Sequence, residues 1–120
     1  MDRSELFSSL KLDRFIAFDF ETTGLQVETD RAIEVAAIMF KDGKPAEKFV
    51  TLINPQIPIS DLIADITGIT NEMVTEAPLE KEIIDDLFEF LGDYPIFAHN
   101  TPLFVGCSLF PSMYLILPFW

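Results

Sequence analysis

Apolar residues fall in three dense runs over the first half of the chain and in a helical rhythm over the second. Residues 14–20, Arg-Phe-Ile-Ala-Phe-Asp-Phe, are apolar on both alternating faces up to the acid. That is the pattern of a central strand covered on both sides. Gly24 breaks the run, and Leu25 to Asp30 read as a loop. Residues 31–40 form a second run with β-branched members, and residues 46–53 a third. Between them Lys41-Asp42-Gly43-Lys44 reads as a tight turn, with Asp-Gly as its signal. The three runs predict an antiparallel meander.

Asn54-Pro55 and Pro58 mark a loop. Ser60 is placed to cap a short helix over residues 61–67, which Gly68 ends. Thr70 caps a second short helix running to about Glu76. Pro78 opens a longer one, with Leu79, Ile83, Ile84, Leu87, Phe88 and Leu91 at helical spacing and Gly92 closing it. Glu80, Glu82, Asp85 and Asp86 read as its solvated face. Residues 95–98 predict a short buried strand, after which His99-Asn100-Thr101 begins a loop. Strands, then helices, then a strand returning to the sheet predict an α/β fold with a mixed sheet.

At 120 residues the chain suits one small domain. Eight Lys+Arg stand against twenty Asp+Glu, a net charge of −12, with no basic cluster. That argues against a protein that coats long nucleic acid. It leaves room for one that acts on a strand end, if metal ions supply positive charge. The single cysteine, Cys107, has no disulfide partner and no zinc-like neighbours. The N-terminal residues lack a signal-peptide core, so the expected compartment is the cytoplasm. Every charged residue lies at or before Asp93. The uncharged stretch from Leu103 to Trp120 is interrupted by Pro111 and Pro118 and has no flanking Lys or Arg, so no membrane span is expected.

Asp19-Phe20-Glu21-Thr22-Thr23-Gly24 is the segment that carries chemistry. Residues two apart on a strand share a face, so Asp19 and Glu21 project together, with Cα atoms roughly 6.6 Å apart. Two like charges at the end of an apolar strand are costly unless a cation lies between them. Hard oxygen ligands point to Mg²⁺ or Mn²⁺. A bare Asp-x-Glu pair is more often a solvated turn; its place after an apolar strand and before Thr-Thr-Gly makes it a candidate metal site. Glu34, inside the second apolar run, reads equally as an acid near that site or as a solvent-facing strand residue.

Phe15 to Leu25 resembles the first motif of the DEDD-type 3′–5′ exonucleases, the family of the DNA polymerase III epsilon subunit and RNase T. Ala32 to Ala37 is similar to the family's second strand, Ile66 to Thr70 with Met73-Val74 to its substrate-side loop, and Phe97 to Asn100 to the start of its second motif. The resemblance covers residues 14–106. It implies an RNase H-like mixed sheet flanked by helices, here truncated after the fourth strand. It implies a catalytic metal site at Asp19 and Glu21, with two Mg²⁺ or Mn²⁺ ions, Asp19 on both and Glu21 on one. It also implies a substrate site at Phe20, Thr22, Thr23, Gly24, Leu25, His99 and Asn100. The expected substrate is a nucleic-acid 3′ end, DNA ahead of RNA, and the expected partner a DNA polymerase or helicase.

The match departs from the family after Asn100, where the expected aspartate of the second motif is absent and no carboxylate follows Asp93. We therefore expect an N-terminal extension over 1–13, a partial exonuclease domain over 14–106 and an apolar tail over 107–120 that is out of frame, with weak or no turnover by this chain. The alternatives are a catalytically dead module that binds nucleic acid or a polymerase partner, and a chain tethered by its apolar end.

Overall fold

The computed structural model describes residues 13–26 and 28–98, and the backbone of Leu115–Ile116. Strand β1 (Arg14–Thr22) pairs antiparallel with β2 (Ala32–Lys41), which pairs antiparallel with β3 (Lys44–Leu52). The β2–β3 hairpin turns through Asp42 and Gly43, both at positive φ (52° and 82°), the two-residue geometry that Asp-Gly favours. Three helices follow, α1 (Asp61–Thr67), α2 (Asn71–Val74) and α3 (Glu80–Leu91). The chain then returns as β4 (Ile96–Ala98), parallel to β1.

The sheet is therefore mixed, as predicted. One two-residue strand, β5 (Leu115–Ile116), lies parallel beside β4, where four strands were expected. Those two residues fall in the apolar tail and take a sheet position by backbone pairing. The order is β3-β2-β1-β4-β5, with β1 at the centre.

The caps act where the sequence places them. The Ser60 hydroxyl accepts from the Ile63 amide, and Gly68, at φ 77°, ends α1 by donating to the Ala64 carbonyl. The Thr70 hydroxyl accepts from the Met73 amide. Helix α3 starts two residues later than Pro78 suggested. Leu79 is extended there, because the Asn54 amide donates to the Pro78 carbonyl and joins this segment to the end of the meander. The Glu82 carboxylate then accepts from the Leu79 amide.

The core occupies one side of the sheet. Ile16, Phe18 and Phe20 of β1 and Val35 and Ala37 of β2 pack with Ile83, Leu87 and Leu91 of α3 and with Ile96 and Ala98 of β4. Ile33 joins Ile59, Ile69 and Val74 in a second cluster under α1 and α2. The expectation that β1 is covered on both sides is corrected here. Its other face carries Phe15, Ala17, Asp19 and Glu21; Phe15 and Ala17 are half-buried and Asp19 is exposed. Aromatic neighbours lend that face its apolar character. Phe15 stacks on Phe40, with centroids 5.0 Å apart, and meets the edge of Phe97 at the same distance. No helix among the described residues is long and apolar enough to cross a membrane.

Candidate active site

Strand alternation sends Phe18 and Phe20 into the core and Asp19 and Glu21 to the opposite face. The carboxylates are thus anchored by buried aromatic neighbours without being buried with them. Among the described residues no charged side chain is buried. Phe20 is 6% exposed, so any contact it makes with substrate belongs to its backbone.

The β1–β2 register places Asp19 opposite Ala36 and Glu21 opposite Glu34. Glu34, left open between two readings on sequence, therefore lies on the same face as the two β1 acids. Partial burial first, then Asp19, then Glu34, raise the Glu21 carboxyl above its ordinary value. The donor set, hard carboxylate oxygens with like charges beside Glu21, fits a hard divalent cation. Among the described residues no cluster of three or more His, Cys, Asp or Glu is arranged to hold an ion.

A register shift between Glu21 and Thr22 marks the point where β1 leaves the ladder. The loop that follows is held internally. The Thr22 hydroxyl donates to the Gly24 carbonyl at 2.6 Å. The Thr23 hydroxyl donates to Asp30 Oδ1 at 2.8 Å and accepts from the Arg31 amide at 3.0 Å. The Thr23 amide donates to the Arg31 carbonyl at 2.8 Å. Both threonine hydroxyl protons are thus committed inside the loop, which leaves their oxygens only as acceptors toward a ligand. Leu25, at the loop tip, is 82% exposed.

Gly24 has a different role from the one its position first suggests. A Cβ there would lie 2.8 Å from Asp30 Cγ, so the missing side chain makes room for the Asp30 carboxylate. Asp30 itself escaped the sequence reading. Its partners Gln26 and Thr23 lie four and seven residues away and meet it only when the loop closes. His99 and Asn100 lie outside the described residues.

A family model described as an exonuclease and named for RNase T matches residues 16–113. The chain is 37% identical over 103 residues to the PolC-type DNA polymerase III of Bacillus cereus, covering 86% of this chain and 7% of that protein. It is 44% identical over 87 residues to the PolC-type DNA polymerase III of Caldanaerobacter subterraneus subsp. tengcongensis, covering 72% of this chain and 6% of that protein. The chain thus spans a small part of the length of these curated relatives. Among solved structures it is similar to Exonuclease X in complex with 5′-overhanging duplex DNA, with a TM-score of 0.64 and 29% identity over 86% of this chain and 57% of that one. It shares its fold with apo Exonuclease I, with a TM-score of 0.65 and 22% identity over 74% of this chain and 22% of that one.

Proposed function

The chain belongs to the RNase T exonuclease family as the N-terminal part of a DEDD-type 3′–5′ exonuclease domain, and from that premise we propose that Asp19 and Glu21 are its metal ligands and that loop 22–25 seats the 3′-terminal nucleotide of a DNA strand. The observation that carries this reading is the projection of both carboxylates from one sheet face, immediately before a loop whose tip is open to solvent.

In this reading Asp19 would touch two ions and Glu21 one, Mg²⁺ or Mn²⁺ being the class that carboxylate oxygens select. When bound, such ions make a water acidic enough to attack phosphorus and stabilise the departing oxygen. The chain's own residues do the placing. Phe18 and Phe20 fix β1 in the core, and so fix where Asp19 and Glu21 stand. The backbone from Phe20 to Thr23, with Gly24 and Leu25, meets the terminal nucleotide. By the family resemblance, His99 and Asn100 would help shape the site. The net reaction breaks the terminal phosphodiester, adds the elements of water and releases a nucleoside 5′-monophosphate. With a net charge of −12, the chain depends on cations to approach a polyanion. Likeness to polymerases suggests a replicative polymerase as its partner.

The absence of any carboxylate after Asp93 favours a second reading for this chain by itself: it binds a strand end or a polymerase and turns over slowly or not at all. A 5′-labelled single-stranded DNA incubated with Mn²⁺ separates the two. Stepwise shortening from the 3′ end that Asp19→Ala abolishes supports the exonuclease. Saturable 3′-end binding without shortening supports the binding module. Neither shortening nor binding overturns the reading.

A further inference from the structure

Besides the Thr22–Gly24 and Thr23–Arg31 hydrogen bonds, the loop that follows β1 is braced from its far end by the Asp30 side chain. Asp30 Oδ1 accepts from the Thr23 hydroxyl at 2.8 Å, and Asp30 Oδ2 accepts from the Gln26 amide at 2.8 Å. The Asp30 amide donates to the Gln26 carbonyl at 2.7 Å, so the residue is itself anchored to the segment it braces. The carboxylate also fills the space above Gly24. Thr23, Gly24 and Gln26 are thereby all held by Asp30, and they flank Leu25. The result is an apolar side chain, 82% exposed, on a loop fixed on both sides of it. Binding residues are often presented on loops that a rigid scaffold positions, and a leucine held exposed on such a loop is placed for contact rather than for packing.

We infer that Asp30 is a positioning residue for substrate: its carboxylate sets the shape of residues 23–26 that receives the 3′-terminal nucleotide. The inference rests on the 3′-end reading given above. Asp30 touches no reacting atom; it acts through Thr23, Gly24 and Gln26. Its function is to remove, before binding, the disorder that the loop would otherwise lose on binding.

The chemistry of the contact makes the role separable from charge. In Asp30→Asn, the side-chain oxygen can still accept from the Gln26 amide. The new NH₂ can donate to Thr23 Oγ1, which then accepts twice. Asp30→Ala removes both contacts. Gly24→Ala pushes a methyl group into the carboxylate and breaks the clamp from the other side.

The test is binding of a 5′-fluorescein single-stranded DNA to the full chain by anisotropy, with Ca²⁺ replacing Mg²⁺, comparing a 3′-hydroxyl with a 3′-phosphate end. Thermal melts run in parallel. The unaltered chain should prefer the 3′-hydroxyl. Asp30→Ala and Gly24→Ala should each weaken that binding by up to about tenfold, the scale of re-ordering a loop side chain on binding. The double variant should be no weaker than Asp30→Ala, and Asp30→Asn should recover most of the binding. If Asp30→Ala does not fold, Gly24→Ala and Asp30→Asn decide. Unchanged binding in Asp30→Ala or Gly24→Ala, with a 3′-hydroxyl preference in the unaltered chain, overturns this inference alone. Asp30→Asn as weak as Asp30→Ala, with equal loss of melting temperature, reduces Asp30 to a structural brace and overturns it too. No preference for the 3′-hydroxyl in the unaltered chain overturns the 3′-end reading and this inference with it.

Discussion

Glu21 and Glu34 stand directly opposite each other across the antiparallel β1–β2 ladder, on the face that also carries Asp19. Like charges at directly opposed sheet positions are destabilising, so this pair loads one sheet face with negative charge. A cation is the natural counterpart, and it connects the register of two strands to the chemistry proposed for β1.

Divalent cation should therefore stabilise the chain. At a concentration about a hundredfold above its dissociation constant, Mn²⁺ should add ~2.7 kcal/mol. For a domain of this size that raises the melting temperature by roughly 10 °C. Calorimetry with Mn²⁺, then with chelator, checks both the gain and its reversal. Asp19→Ala should melt at the same temperature with and without the ion.

Without metal, the charge on Glu21 should cost stability, and the sign follows from its raised carboxyl. A carboxyl whose folded value lies above its unfolded value binds more protons when folded. Its penalty is complete above the folded value and disappears below the unfolded one. Glu21→Gln should thus melt higher than the unaltered chain at pH 7.5, and the difference should shrink as pH falls into the carboxylate range. A gain that is constant with pH would point to packing instead.

Glu34→Gln should also stabilise the metal-free chain at neutral pH, by ~0.5 kcal/mol, by removing one of two opposed charges. Combined with Glu21→Gln, the gains should be less than additive, because either change removes the same repulsion. Urea melts of the four proteins make the cycle.

Core and loop leucines should behave oppositely. Leu87 is fully buried between α3 and the sheet, and Leu87→Ala should cost about 3 kcal/mol. Leu25→Ala should change stability by less than about 0.5 kcal/mol and yet weaken binding of a 3′-terminated strand. Paired urea melts and anisotropy titrations would show the split. Loss of stability with intact binding in Leu25→Ala would move the nucleotide seat elsewhere.

The features legible along the chain are those set by neighbours in sequence. Ser60, Thr70 and Gly68 cap helices because a hydroxyl reaches an amide three residues on, or because glycine accepts a left-handed turn. Asp42-Gly43 makes a hairpin for the same local reason. The projection of Asp19 and Glu21 to one side needs only the alternation of a strand, so the sequence alone determined the candidate acids, while the order of strands and helices pointed to a mixed sheet whose parallel β1–β4 pairing the tertiary structure made. Which side they face, and what stands beside them, depended on packing. Phe15 and Ala17 look like core residues on sequence. They lie on the half-open face, because the described helices all pack on the other side and Phe15 finds Phe40 and Phe97 as neighbours. Glu34 meets Glu21 only through the β1–β2 register, and Asp30 reaches Thr23 only when the loop closes. Those contacts join residues seven to thirteen positions apart. Propensity and spacing do not reach that far, whereas backbone pairing and the packing of one sheet face do.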